Sequence, residues 1–293
     1  MTLLIYTRTM KLIQTKNELL QYIEKVKSEK KTIGFVPTMG ALHKGHITLA
    51  KQSVAENDTT VVSVFVNPTQ FNNKTDLEKY PRNVQKDAEM LQKVGCNCVF
   101  APSPEEMYSK DEIEKPFEFD FGGMDAVMEG KFRPGHFNGV VQVVSKLFKL
   151  VQPDKSYFGL KDFQQLAIIH RMVEVMKFPV EIIDCPIIRE PSGLAMSSRN
   201  ERLTPEQRKN AAKISEVLFE SRTFVPSKSP QELINWVVEQ INNVPDLDVE
   251  YFDIVDRKTL QSIEKWERDA VGCIAVFCGG VRLIDNIEFT SNP

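Results

Sequence analysis

Short β-branched runs alternate with longer segments of helical period through the first two-thirds of this chain, and that alternation constrains its fold more than any other feature. Thr32 to Val36 reads as a buried strand, His46 to Glu56 as a helix and Thr60 to Val66 as a second buried strand. Val84 to Val94 then reads as helix, Asn97 to Phe100 as strand, Phe137 to Val151 as helix and Ser156 to Phe158 as strand. Asp162 to Lys177 follows as helix and Val180 to Ile188 as extended chain. Strand, helix and strand in succession make βαβ units, which place parallel strands in the middle and helices on both faces. The predicted class is α/β, with a doubly wound parallel sheet.

After Ile188 the texture changes. A loop containing Gly, Ser and Arg leads to Thr204-Pro205-Glu206-Gln207, which combines an N-cap, a proline at the first helical position and an acidic first turn. That helix is expected to run towards Arg222, and a second to cover Pro230 to Ile241 behind Ser229. Strands are expected at Val249 to Val255, Gly272 to Cys278 and Arg282 to Asn286, the last two joined at Gly279-Gly280. A length of 293 residues suits two domains. The division falls near Ile188: a Rossmann-like domain over 1–188 and a smaller α+β domain over 189–293.

Composition narrows the function classes. With 37 Lys+Arg against 40 Asp+Glu the net charge is -3, which argues against a general nucleic-acid binder. No apolar run approaches the ~18 residues of a membrane span. Met1 to Gln14 has too short an apolar part, and no small-residue cleavage site, for a signal peptide. The five cysteines (Cys96, Cys98, Cys185, Cys273 and Cys278) are odd in number and lack C-x-x-C spacing. Reduced thiols and a cytoplasmic location follow as expectations.

The chemistry concentrates directly after the first strand, in Pro37-Thr38-Met39-Gly40-Ala41-Leu42-His43-Lys44-Gly45-His46. Open parallel sheets bind ligands at the carboxyl ends of their strands. Gly40 and Gly45 allow turns and close approach, and a helix starting near His46 offers N–H groups and partial positive charge, which suits phosphates. His43 and His46 add side-chain donors that can follow developing charge, although two histidines at a helix start can also be plain solvated or capping groups. The loop has neither a G-x-x-x-x-G-K-[ST] nor a G-x-G-x-x-G pattern. No Cys, Asp or Glu stands near the histidines in sequence to complete a zinc set.

The H-x-G-H turn resembles that of the nucleotidylyltransferase superfamily, which includes the class I aminoacyl-tRNA synthetases. The longer string is similar to the signature of one member, the pantothenate synthetase family. Four later segments fit in order: Phe65-Val66-Asn67-Pro68-Thr69-Gln70-Phe71, Lys131-Phe132-Arg133-Pro134-Gly135-His136-Phe137, Phe158-Gly159-Leu160-Lys161-Asp162-Phe163-Gln164-Gln165, and Gly193-Leu194-Ala195-Met196-Ser197-Ser198-Arg199-Asn200. The chain's ending, Arg282-Leu283-Ile284-Asp285-Asn286, matches as well.

The resemblance implies a set of roles. ATP would meet the loop from Met39, Gly40, Ala41, Leu42, His43, Lys44, Gly45 and His46. It would also meet Gly159, Leu160, Lys161 and Asp162, the backbone of Ile188, and Met196, Ser197, Ser198 and Arg199. Leu160 stands where many relatives are expected to be polar. Gln70 and Gln165 would bind pantoate, with Pro37 and Met39 as apolar wall. His46, His43 and Lys161 would be catalytic, Arg133 and His136 could approach the phosphates, and Asp87 is a possible magnesium-side carboxylate.

The expected reaction uses ATP with Mg²⁺, activates pantoate as an acyl-adenylate and transfers it to β-alanine, releasing AMP and pyrophosphate. The resemblance also implies a homodimer, and a Ser197–Arg199 loop that closes over ATP. The competing readings are a plain nucleotidylyltransferase with a basic substrate pocket, a tRNA-binding protein on the same fold, and a non-catalytic nucleotide sensor. Intact His43, His46 and Lys161 speak against the last.

Overall fold

A computed structural model describes residues 10–71, 77–78, 80–114, 117–266 and 269–290. The chain forms two compact units. The first takes the described chain up to Phe119 together with Gly135–Phe158 and Met172–Cys185; the second takes Asp120–Pro134, Gly159–Arg171 and the chain from Pro186 on. No helix among the described residues is long and apolar enough to cross a membrane.

The larger sheet is parallel and six-stranded. Its strands are β1 (Lys11–Ile13), β2 (Ile33–Thr38), β3 (Thr59–Val64), β4 (Cys98–Phe100), β5 (Lys155–Gly159) and β6 (Glu181–Cys185), in the order β1-β4-β3-β2-β5-β6. The long helices that alternate with them are α1 (Lys16–Ser28), α2 (Lys44–Glu56), α3 (Val84–Lys93), α4 (His136–Val151) and α5 (Phe163–Met176). Every residue of β3 is buried, as expected of a parallel strand covered on both faces. From β2 the chain steps outward to β3 and β4, then returns to add β5 on the other side of β2, so the winding reverses there. The loop that follows β2 therefore leaves the sheet where such folds bind ligands.

The β1–α1 start was not expected from sequence. Three residues are too few to show an alternation, but α1 carries readable signals. Thr15 accepts the Glu18 N–H as N-cap, and Leu19, Ile23 and Val26 are buried at helical spacing.

The small sheet in the second unit is an antiparallel meander of β7 (Leu247–Asp256), β8 (Asp269–Cys278) and β9 (Val281–Thr290). Two helices cover it: α6 (Pro205–Ser221), whose Thr204–Gln207 capping box is complete, and α7 (Pro230–Asn242), with the matching Ser229–Glu232 box. Leu218, Leu233, Val237 and Ile241 from the helices meet Ile254, Ile274 and Val276 from the strands in one buried core. Each strand runs longer than expected, and the added ends carry further core side chains: Leu247 in β7, Ala270 in β8, and Ile287 and Phe289 in β9.

The seat of α2 on the sheet depends on Gly34. A Cβ there would lie 2.2 Å from Ser53 Oγ and 2.5 Å from Asn57 Nδ2. Neither neighbour can give way cheaply: Ser53 Oγ bonds Thr60 Oγ1 at 2.9 Å and Asn57 Nδ2 donates to Tyr157 Oη at 2.7 Å. Gly34→Ala is expected to destabilise the protein by about 1–3 kcal/mol through overpacking. Urea unfolding checks this, and an unshifted midpoint would refute the close-packing argument.

Candidate active site

The turn after β2 is shaped by one buried carboxylate. Gly40 has φ 80° and Ala41 φ 50°, a left-handed pair that is costly for alanine. Asp87, in the first turn of α3 and 2% exposed, accepts Ala41 N–H at 3.0 Å on one oxygen and Leu42 N–H at 2.9 Å on the other. Burial pushes the Asp87 carboxyl above its usual value, and these two amides partly oppose that. Gly40 is required twice over: its φ favours glycine, and a Cβ would come within 2.9 Å of Asp87 Oδ2. The carboxylate proposed from sequence as metal-side is engaged as a loop anchor. Among the described residues no group of three or more His, Cys, Asp and Glu could hold a metal ion.

The two histidines cap the helix reciprocally. α2 begins at Lys44, two residues before the expected start, because His43 is its N-cap. His43 Nδ1 accepts Gly45 N–H at 3.1 Å and His46 Nδ1 accepts His43 N–H at 3.3 Å, with the ring centroids 4.1 Å apart. A backbone N–H can only donate, so each Nδ1 is the unprotonated nitrogen and each neutral ring carries its proton on Nε2. Capping and donation are thus compatible in one side chain. Gly40 N–H also has a partner, Thr38 Oγ1 at 3.2 Å. The loop's backbone amides are largely spent on the protein itself, and its donors are side chains.

Gln70 lies in the turn after β3, 7% exposed. Asn67 orients it by donating Nδ2 to Gln70 Oε1 at 3.1 Å and to Gly139 O at 3.0 Å. Asn67 Oδ1 in turn accepts Tyr108 Oη at 2.8 Å and Thr69 Oγ1 at 3.2 Å. The Gln70 side-chain carbonyl is therefore engaged by Asn67 while its Nε2 faces Met39 Sδ at 3.1 Å, a weak acceptor. His136 is buried, and its Nδ1–H donates to Gln70 O at 2.8 Å, so it supports this turn. Sequence reading passed over Asn67 and Tyr108; Asn67 lay inside the quoted string, whereas Tyr108 had no signal.

The remaining expected residues belong to the second unit. Lys161 sits in the 3-10 turn Leu160–Asp162, 3.6 Å from Asp162. Buried Asn286 holds this turn by donating to Leu160 O at 2.7 Å and Lys161 O at 3.1 Å. Gln164 is 3% exposed and donates to Met124 O and Val127 O at 2.7 and 2.9 Å, while Gln165 is only half-buried. Of the two glutamines, the second is the more exposed.

Within Ile188 to Asn200 an isolated antiparallel bridge closes a short turn ahead of the 3-10 turn at Ser198. Arg189 bridges Ala195, and Ile188 O accepts Met196 N–H at 2.9 Å. Asn200, 1% exposed, donates to Glu190 Oε1 at 2.8 Å and Ala195 O at 3.0 Å. Asp285 receives a two-pronged bond from Arg189 at 2.6 and 2.9 Å. Ser197 Oγ caps the 3-10 turn that carries Ser198 and Arg199.

A parallel sheet that runs into a self-capped H-x-G-H helix, with hydrogen-bonding side chains after the neighbouring strand, defines an α/β enzyme of the H-x-G-H type. A family model described as Pantoate-beta-alanine ligase matches residues 11–288, and the chain belongs to that family, whose members are ligases. It is 55% identical over 282 residues to the pantothenate synthetase of Bacteroides fragilis strain YCH46, covering 96% of this chain and 99% of the relative. The pantothenate synthetase of Phocaeicola vulgatus is 56% identical over 283 residues, with 96% and 99% covered. The crystal structure of pantothenate synthetase from Thermus thermophilus superposes with a TM-score of 0.89 at 40% identity, covering 96% of this chain and 100% of that one. Pantoate-beta-alanine ligase from Francisella tularensis, complexed with beta-gamma ATP and beta-alanine, superposes at 0.80 with 34% identity, covering 96% and 98%.

None of the five cysteines is built for chemistry. All are free and buried, and burial pushes Cys96, Cys98 and Cys185 each up to about 12. At pH 8 a disulfide-exchange reagent should label the native protein slowly and all five thiols once denatured. Rapid stoichiometric labelling of the native form would contradict the buried placement.

Proposed function

We propose that this chain is an ATP-dependent ligase that condenses pantoate with β-alanine through a pantoyl-adenylate. The carrying observation is the reciprocal His43–His46 cap, which presents two Nε2–H donors from one helix start. Membership of the pantoate-beta-alanine ligase family, and the ATP and β-alanine ligands in the Francisella relative's description, support the substrates.

ATP enters as its magnesium complex, a nucleotide-borne metal that needs few protein ligands. Pantoate lies against Gln70, whose Nε2 exchanges the Met39 sulfur for a substrate oxygen, with Gln165 as second contact. The pantoate carboxylate attacks the α-phosphorus, the bond to the bridging oxygen breaks and pyrophosphate leaves. Charge growing on the phosphates is met by the Nε2–H groups of His43 and His46, by Lys161 and Arg199, and by the hydroxyls of Ser197 and Ser198. The backbones of Gly159, Leu160, Asp162, Ile188 and Met196 cradle the nucleotide. The deprotonated β-alanine amine then attacks the acyl carbon, the acyl–phosphate bond breaks and AMP leaves. Holding acid and nucleotide in line supplies much of the rate, since orientation can contribute about 7–11 kcal/mol. The proposal includes a homodimer working in the cytoplasm, with a lid drawn from 189–293 that carries Ser197 to Arg199.

Incubation with ATP, Mg²⁺ and pantoate, with and without β-alanine, tests this by chromatography of the nucleotides. Expected are AMP and pyrophosphate over many turnovers only when β-alanine is present, and a hydroxamate when hydroxylamine replaces it. His46→Ala should lower kcat by about 10²–10³-fold, the usual cost of one preorganised donor. Release of ADP and phosphate, or AMP transfer to a phosphate acceptor, would overturn the reading.

A further inference from the structure

Asn67 uses the hydrogen-bonding capacity of its whole side chain, and its partners leave the amide no choice of direction. The Gly139 carbonyl can only accept, so the atom 3.0 Å from it is the Asn67 nitrogen. The other hydrogen on that nitrogen goes to Gln70 at 3.1 Å, which must offer its carbonyl Oε1 there. Asn67 Oδ1 faces the opposite way and accepts the hydroxyls of Tyr108 at 2.8 Å and Thr69 at 3.2 Å. Asn67 is 1% exposed, so water has little access to repair a broken member of this set. One helix carbonyl thus decides, two side chains away, that Gln70 turns its N–H groups outward. A reversed Gln70 amide would set donor against donor at Asn67.

That carbonyl belongs to α4, and the same helix holds the segment bearing Tyr108. Gly139 has to be glycine, because a Cβ would meet Thr69 O at 2.5 Å and Gln70 N at 2.6 Å. Three residues earlier, His136 Nδ1–H donates to Gln70 O at 2.8 Å. Further along, Gln142 donates to Glu112 O at 2.9 Å and Lys146 donates to Met107 O at 3.1 Å. Lys146 also pairs with Glu112 at 2.6 Å, its Nζ 5.2 Å from the Tyr108 ring centroid. His136, Gly139, Gln142 and Lys146 recur every three or four residues and share one helix face. That face keeps the Gln70 turn and the Tyr108 segment in register. Burial pushes the Tyr108 phenol above its usual value; a Thr69 bond opposes this and the Glu112 charge adds to it. The phenol therefore keeps its proton and remains a donor to Asn67. Any buried phenol needs an acceptor, but this one ends on the amide that orients Gln70, which gives it a consequence for binding.

We infer that Tyr108 is a positioning residue for substrate binding: through Asn67 it locks Gln70 with its carbonyl engaged and its N–H groups turned to the ligand, so that the site takes an acceptor oxygen. The inference rests on the reading above that Gln70 contacts pantoate.

Nuclear magnetic resonance of the ¹⁵N-labelled full chain tests the lock without substrate. The Asn67 side-chain amide protons should exchange with solvent about tenfold faster in Tyr108→Phe, the scale of one hydrogen bond. The Gln70 Nε2 signal, identified by its loss in Gln70→Ala, should move in the same variant. Unchanged Asn67 exchange or an unmoved Gln70 signal in folded Tyr108→Phe would overturn the inference. In steady-state assays Tyr108→Phe should lower kcat/KM for pantoate about tenfold and leave KM for ATP unchanged. Added to Gln70→Ala it should cost nothing further, because both remove one interaction. Losses that multiply in the combination, or a parallel rise in KM for ATP, would mark a structural effect alone and overturn it. If Tyr108→Phe fails to fold, Thr69→Val removes the longer bond to the same oxygen. It should lower kcat/KM for pantoate about threefold with Gln70 present and not at all in Gln70→Ala, and equal losses in both backgrounds would overturn the inference. A wild type that forms no pantothenate, yet shows the Asn67 and Gln70 responses to Tyr108→Phe, would sink the proposed ligase and leave the lock standing.

Discussion

Much of the first unit's chemistry depends on two hydrogen bonds from backbone amides to one buried carboxylate. Asp87 sits where the α3 N-terminus favours an anion, and its two oxygens hold Ala41 and Leu42 in a turn that alanine would otherwise avoid. That turn decides where the chain enters α2, and hence that His43 becomes the N-cap and His46 the third helical residue. The histidine rings then have their Nδ1 atoms occupied and their tautomers set. A structural carboxylate, a strained alanine and two capping imidazoles form one dependent series.

The second unit is organised from β9. Side chains alternate along a strand, so Arg282 and Asn286 share one face and Asp285 lies on the other. Arg282 secures Glu129, Asp285 secures Arg189 and Asn286 secures the carbonyls of Leu160 and Lys161. A single rigid strand thereby fixes three segments far apart in sequence. Anchoring these segments on one such element gives them defined positions that separate flexible loops would lack.

The strand–turn–helix after β2 was legible because its signals are local: a β-branched run, two glycines and two histidines at capping distance. The capping boxes at Thr204 and Ser229 were legible for the same reason. Asp87 was visible as an acid, but nothing in its own helix reveals that its oxygens face amides more than forty residues earlier. Gln70 was identified by its string, while Asn67, which orients it, stood three residues away and passed unnoticed. The polar residues of Arg282-Leu283-Ile284-Asp285-Asn286 interrupt an apolar strand pattern, and that interruption was the signal for their long-range bonds.

By itself the sequence determined the α/β class, the order of nearly all elements and the family, because hydrophobic period, caps and motif strings act over a few residues. Tertiary structure alone decided that segments 120–134 and 159–171 pack with the C-terminal sheet, that Gln164 is buried while Gln165 is not, and that Glu129 joins Arg282. These are pairings across 100 residues or more, or choices between adjacent identical side chains. Their partners are brought together only when the sheets and helices bury their apolar faces, a collective result that no local pattern encodes.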